Sequence, residues 1–181
     1  MESLTIQTNP QATPQVFTPK LNFAFYRQTR DDKELKDQYS DGFTTLVKGL
    51  LNENADMTIA FYYHALAWYK RNQPSETAVE EALEEKVFAN DEATDKAFND
   101  ILHELQKNDF LARKLSEFIK NQDKDMDAIQ VKIDQTDDKN QRQNLEIGLQ
   151  QMTDEVNKLK SLLATPESLP KPEDADSHQE N

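Results

Sequence analysis

The sequence has 181 residues, with 34 acidic and 21 basic side chains, and its formal net charge is −13. This balance argues against binding to nucleic acid, because affinity for a phosphate backbone comes from lysine and arginine displacing counterions. The absence of cysteine excludes a disulfide scaffold, a thiol nucleophile and a cysteine-ligated metal. No apolar run approaches the ~18 residues that a membrane span needs, and the first residues do not resemble a signal peptide. We therefore expect a soluble, acidic, intracellular protein with no nucleic-acid or membrane partner.

Residues 1–20 are predicted to form an extended arm or a short strand. Residues 4–8 alternate apolar and polar side chains, which is typical of a strand. Prolines then interrupt the chain before the helical pattern begins, at Pro10, Pro14 and Pro19.

Residues 21–120 have the pattern of a compact helical domain. All 15 aromatic side chains lie between Phe17 and Phe118, and aromatic residues bring the largest apolar area per residue to a core. Apolar residues recur at helical spacing from residue 43 onward, and helices are expected to begin near Ser75, Asn90 and Asn108. The sequence therefore predicts a mainly α fold, with five helices in this domain.

Residues 121–164 have a separate helical period and are predicted to form an appendage. A polar segment, residues 135–141, separates two apolar stripes, so we predict a helical hairpin that turns at Asp137 and Asp138. The second stripe steps by 4, 3, 4, 3, 4, which is the spacing of a coiled-coil seam. This seam and the N-terminal arm are the predicted contacts for self-association into an open oligomer. The seam residues are Leu145, Leu149, Met152, Val156, Leu159 and Leu163.

Residues 165–181 are predicted to be a disordered acidic tail. They contain three prolines and mostly acidic charges, and they hold too little apolar surface to offset the entropy of ordering.

No group of residues has the pattern of an active site. The histidines His64, His103 and His178 are far apart, and three glycines are too few for a phosphate-binding loop. The glutamates of residues 76–85 lack a partner base, so a solvated helix face is expected. We predict no catalytic residue, no cofactor and no enzymatic activity.

One segment partly matches a calcium-binding loop. Its aspartates occupy the first, third, fifth and twelfth positions, but Ala128 stands where the loop requires glycine. We therefore predict no metal site at these residues, which are Asp123, Asp125, Asp127 and Asp134.

The aromatic segment of residues 57–69 has two interpretations. Its side chains are apolar around nearly the whole helix, which is typical of a central core helix. Alternatively, one face, with Tyr62, Leu66 and Tyr69 at spacings of 0, 4 and 7, stays open as a groove for a partner helix while Phe61 and Trp68 hold the core. We predict this second arrangement, with a partner-binding surface that comprises Phe23, Phe25, Tyr26, Tyr62, Leu66 and Tyr69.

The run YYHALAWYKRNQPS at residues 62–75, followed by VEEALEE at 79–85, resembles the tail assembly chaperones of long-tailed bacteriophages. The FAFYR segment at residues 23–27 and the FNDILHELQK segment at 98–107 are similar to that family too, and the resemblance covers residues 4–120.

The resemblance implies a non-enzymatic chaperone in the host bacterial cytoplasm. Such a chaperone coats the aggregation-prone tape measure protein, keeps it soluble while tail tube subunits polymerise, and is absent from the mature virion. A longer product made by ribosomal frameshifting would add the tail tube protein as a partner. A structural virion protein with a helical body and a coiled-coil arm is the alternative, and an acidic DNA mimic is a third.

Overall fold

The structure is a computed structural model that describes residues 1–7, 11–38 and 40–164, and it is mainly α-helical, as predicted. The predicted disordered tail, residues 165–181, lies outside the described residues. The elements in chain order are β1 (Leu4–Ile6), β2 (Gln15–Phe17), α1 (Phe23–Asp31), α2 (Gly42–Leu51), α3 (Ala55–Ala65), a 3-10 helix (Ala67–Asn72), α4 (Glu76–Lys86), α5 (Asp91–Lys107), α6 (Asp109–Asp134) and α7 (Lys139–Ala164).

The N-terminal strand is confirmed, and it pairs with a second strand that the sequence did not predict. β1 and β2 are antiparallel, with Leu4 opposite Phe17 and Ile6 opposite Gln15. Leu4, Ile6 and Phe17 are buried, and β1 packs on α4. The arm is therefore part of the folded body. β2 has three residues, which is too short for a clear alternation of apolar and polar side chains.

Capping side chains mark where the helices begin. Ser75, Asn90 and Asn108 each accept hydrogen bonds from backbone N–H groups two or three residues further on, as predicted. Asn22 and Asp41 cap α1 and α2 in the same way.

The predicted single helix over residues 57–69 is wrong at its C-terminal end. α3 ends at Ala65, and the chain continues as the 3-10 helix, in which Lys70 has φ 58° and ψ −115°. The backbone N–H of Lys20 donates to the carbonyl of Ala65 at 2.8 Å. The carbonyl of the last residue of α3 thus bonds to the arm. The apolar pattern of the helix carries no signal for this contact with a distant part of the chain.

The core is one cluster of buried side chains to which α1, α2, α3, α4, α5 and α6 all contribute. Its largest fully buried side chains come from every one of these helices, and they include Phe25, Leu46, Leu50, Phe61, Leu66, Leu83, Ile101, Leu105, Leu111 and Leu115.

The predicted helical hairpin is confirmed. α6 and α7 run antiparallel, so Thr153 contacts Met126 and Lys160 forms an ion pair with Asp123 further from the turn. α6 passes residue 120 without a break, and Leu159 of α7 belongs to the main core. The predicted division of the chain near residue 120 stays a prediction.

Candidate functional site

The predicted partner-binding face on α3 is closed. Tyr62 is 4% exposed, and Leu66 and Phe25 are also buried, so the expected exposure of these side chains is wrong. The ring of Phe61 packs edge-on against both Phe25 and Tyr62, at centroid distances of 5.4 and 5.6 Å. Burial raises the pKa of the Tyr62 phenol to about 12. A helix that is apolar all round gives no local signal for which face remains open.

Trp68 and Tyr69 hold the N-terminal arm. The indole Nε1 of Trp68 donates to the carbonyl of Thr18 at 3.0 Å, and the phenol oxygen of Tyr69 accepts from the Thr18 N–H at 3.1 Å. The Lys20 ammonium lies 3.7 Å from the centroid of the Trp68 ring. Trp68 is half-buried, so the prediction that it would form the core is wrong. The polar end of its ring is used for contact with the arm.

An exposed aromatic patch lies where α1 meets the beginning of α6, and we define it as Phe23, Tyr26 and Phe110. The Phe110 ring centroid is 5.4 Å from that of Phe23 and 5.0 Å from that of Tyr26, and both pairs are edge-on. Phe23 is 60% exposed, Phe110 is half-buried and Tyr26 is mostly buried. The exposed ring of Phe23, packed against the rings of Tyr26 and Phe110, is a candidate contact for a protein partner.

Asn22 and Asn108 hold the aromatic patch in place. The Asn22 side chain accepts from the Phe25 N–H at 3.0 Å and so starts α1. The Asn108 side chain starts α6 and also donates to the Leu21 carbonyl at 2.9 Å, which ties the two helix starts together. The three rings of the patch therefore lie in the first turns of α1 and α6, whose N-terminal ends are joined by the bond from Asn108 to Leu21.

Cationic side chains border the aromatic patch. The Lys114 ammonium is 5.6 Å from the Tyr26 ring centroid and 5.9 Å from that of Phe110, and the Arg30 guanidinium is 5.7 Å from Tyr26. Lys114 is also paired with Glu117, and Arg30 with Asp31. The border of the patch is therefore cationic, and each of these cations contacts both a ring and a neighbouring carboxylate.

The sequence prediction included Phe23 and Tyr26 but missed Phe110 and Lys114. A signal existed for Phe110, because the ring is out of phase with the buried stripe of α6 that contains Leu111 and Leu115. Phe23 is likewise out of phase with the buried side of α1.

Comparison with known proteins identifies the family. A family model described as "Phage tail assembly chaperone protein, TAC" matches residues 13–120, which is more than half of the chain. The protein belongs to this family of phage tail assembly chaperones. The resemblance noted in the sequence is thereby confirmed. Neither the curated proteins nor the solved structures give a match.

The family match includes the aromatic patch and excludes β1 and α7 of this chaperone. The family is one of assembly chaperones and is not known as enzymatic. That this member has no catalytic activity stays a prediction. None of the helices in residues 1–7, 11–38 and 40–164 is long and apolar enough to cross a membrane.

The C-terminal part of the heptad seam, with Leu159 and Leu163, packs on the chaperone's own core. Val156 and Leu159 are buried, and the other seam residues are half-buried. Self-association through Leu145, Leu149, Met152, Val156, Leu159 and Leu163 stays a prediction, and it would require α7 to leave its present position.

A buried histidine joins α3 to the end of α1. The Nε2 of His64 is 2.9 Å from the Asp32 carboxylate, which identifies Nε2 as the protonated nitrogen of the neutral ring. Burial lowers the pKa of His64, and the neighbouring Asp32 opposes that shift. The Nδ1 has no hydrogen-bond partner within the described part of the chain. The pair links α3 to the residue that ends α1, and this arrangement suits a structural role.

The aspartates of the calcium-loop-like segment lie along α6, where residues two apart point to different sides. Asp123 forms an ion pair of 3.0 Å with Lys160 of α7. In the described residues, no group of three or more acidic or histidine side chains is placed to hold a metal ion.

Proposed function

We propose that this chaperone binds the tape measure protein of its phage and keeps it soluble until tail tube subunits polymerise around it. The family match over residues 13–120 carries the proposal, and the exposed aromatic patch supplies a surface for it. The proposed site of action is the host bacterial cytoplasm, and the chaperone leaves before the virion is complete.

The aromatic patch suits a helical client with an apolar stripe. The exposed ring of Phe23 and the half-buried ring of Phe110 would pack on that stripe, since aromatic side chains provide large contact area with little loss of entropy. Arg30 and Lys114 would pair with acidic residues that border the stripe. The proposed client-binding surface is therefore the patch around Phe23 and not the predicted face of α3.

Several copies would coat one client. A long client offers repeated stripes, so modest individual affinity would become strong overall through multivalency and through self-association of the chaperone. The net charge of −13 would keep coated complexes apart. A longer frameshifted product, where it exists, would connect the coat to the tail tube protein.

Co-expression tests this proposal. The tape measure protein of the same phage is produced in bacteria with and without the chaperone, and the soluble fraction of each culture is measured. We expect the tape measure protein to be largely insoluble alone and to co-purify with the chaperone when both are present. Unchanged solubility with no co-purification would refute the proposal.

The composition of purified virions separates the chaperone from the alternative of a structural tail protein. We expect the protein in infected lysates and not in mature particles. Stoichiometric presence in mature particles would favour the structural alternative.

A further inference from the structure

The second half of α7 fills a groove on the family-matched part of the chaperone. α7 contacts α2, α5 and α6, although α7 itself lies outside the matched residues 13–120. Leu159 is fully buried in the main core, and Leu162 and Leu163 pack against it. The matched helices therefore present an apolar groove whose present occupant is an amphipathic helix of the same chain.

Polar contacts at the border of the groove hold α7. Lys158 donates to the carbonyl of Leu51, at the C-terminal end of α2, with a distance of 3.0 Å, and it forms an ion pair with Glu53. The Gln106 side chain donates to the Leu163 carbonyl at 2.8 Å. These are partly exposed contacts, and such contacts add little net stability individually.

We propose that α7 is a built-in substitute for the client. In the free chaperone it occupies the groove on α2, α5 and α6 that receives an amphipathic helix of the tape measure protein, and the client helix displaces it. This inference rests on the proposed function and adds a second client surface to the aromatic patch.

The chemistry of α7 indicates which helix the groove accepts. Its apolar residues step by 4, 3, 4, 3, 4 from Leu145 to Leu163, and the groove accommodates the last of them. Lys158 and Lys160 flank this stripe and pair with Glu53 and Asp123. The expected client segment is therefore a helix with heptad-like apolar spacing and basic side chains beside the stripe.

The connection between α6 and α7 permits the displacement. The turn between the helices, residues 135–138, is polar and largely exposed, so few apolar contacts oppose its movement. Covering the groove in the free state also lowers the apparent affinity for any client. The client can bind only to the fraction of molecules in which α7 has left the groove. Multivalent clients would overcome this more readily than isolated helices.

A chemical bridge tests the proposal in the full chain. The chaperone has no cysteine, and the Asn52 side chain donates to the Glu155 carboxylate at 2.8 Å, so Asn52→Cys with Glu155→Cys places two thiols across the groove border. A short bismaleimide then locks α7 in position. We expect the bridged protein to bind the tape measure protein at least tenfold more weakly than the same variant before bridging.

A matched bridge elsewhere controls for the chemistry. Lys96 and Asp100 form an exposed ion pair of 2.9 Å on α5, outside the arm and the seam. Bridging Lys96→Cys with Asp100→Cys should leave client binding unchanged.

Loosening α7 should have the opposite effect. Lys158→Ala removes the bond to Leu51 and the ion pair with Glu53, and we expect the affinity for the tape measure protein to rise about fivefold. Hydrogen exchange of the α7 amides should also become faster. Lys96→Ala, which breaks an exposed ion pair with Asp100, is the matched control and should change neither.

The outcomes separate this inference from the proposed function. If the native chaperone binds the tape measure protein and the Asn52–Glu155 bridge leaves the affinity unchanged, the inference is wrong and the function stands. If neither the native protein nor Lys158→Ala binds the tape measure protein, both fail. If Lys158→Ala forms swapped oligomers without a gain in client affinity, the groove receives a second copy of the chain, which also overturns the inference.

Discussion

Gly42 lies where the first turn of α2 meets the backbone of α1. A Cβ at this position would collide with the carbonyl oxygen of Thr29, and backbone atoms cannot move aside as a flexible side chain can. Gly148 in α7 is the opposite case. A Cβ there would point into open space, because no atom from another element of the described residues lies within 4 Å of it.

These two glycines predict opposite effects of the same substitution. Gly42→Ala should lower the free energy of unfolding by about 1–3 kcal/mol through overpacking. Gly148→Ala should raise it by up to about 1 kcal/mol, because alanine is the better helix former. Urea denaturation of both variants measures the difference, and a stabilising Gly42→Ala would show that α1 and α2 are not in close contact.

His64 predicts a dependence of stability on pH. Burial lowers the pKa of His64 below its usual value of 6.5, so the unfolded chain takes up a proton at a pH where the folded chain does not. The free energy of unfolding therefore falls as the pH drops below 6.5, the pKa of histidine in the unfolded chain. Asp32 is the carboxylate that faces His64, and burial, followed by the charges of Glu34 and Asp32, raises the pKa of Glu76.

His64→Gln keeps a donor for Asp32 and removes the titration. We expect the melting temperature of the variant to fall less than that of the native protein between pH 7.5 and pH 5.5, values chosen to bracket roughly the ordinary histidine pKa. Parallel pH profiles for the two proteins would mean that His64 titrates in the folded state as it does in the unfolded chain.

At the scale of the elements, the 3-10 helix holds the N-terminal arm through contacts of Trp68 and Tyr69 with Thr18 and Lys20. Trp68→Ala removes the bond to Thr18 and the contact with Lys20, so we expect proteolysis near residue 18 to accelerate. The free energy of unfolding of the Trp68→Ala variant should fall by less than that of Phe61→Ala, which leaves a core cavity and costs about 3–5 kcal/mol. An equal loss for both variants, with no change in proteolysis, would show that Trp68 does not hold the arm.

The hairpin predicts the result of truncation. Sequence composition favours a domain that ends near residue 120, but α6 crosses that point and Leu159 is part of the core. We expect a chain ending at residue 120 to lose stability, because it uncovers apolar side chains that α7 covers. Thermal unfolding of the truncated and full chains measures this, and equal melting temperatures would support the boundary at residue 120.

Local signals explain which elements were predictable. A capping side chain acts within its own turn, so the starts at Ser75, Asn90 and Asn108 could be predicted from the sequence. The exposed face of α3 depends on where α1 and α2 pack, and the contact between Phe23 and Phe110 joins distant parts of the chain. Neither follows from periodicity, so the candidate site was predicted only at Phe23 and Tyr26.

At the scale of the whole molecule, two surfaces of different charge are proposed for one client. The aromatic patch is bordered by Arg30 and Lys114, whereas the α7 groove is bordered by Glu53 and Asp123. Helices with acidic residues beside one stripe and basic residues beside another would fit both surfaces. The net charge of −13 favours separation of coated complexes.

The most direct test of client binding is the affinity of full-length chaperone variants for the tape measure protein of the same phage. Phe23→Ser combined with Phe110→Ser disrupts the aromatic patch, and Ile147→Ser, at a side chain that is 50% exposed on α7, is the matched control. We expect the patch variant to bind roughly thirtyfold more weakly, as for the loss of an interface hot spot, while the control binds like the native protein. Native affinity in a folded patch variant would contradict the account.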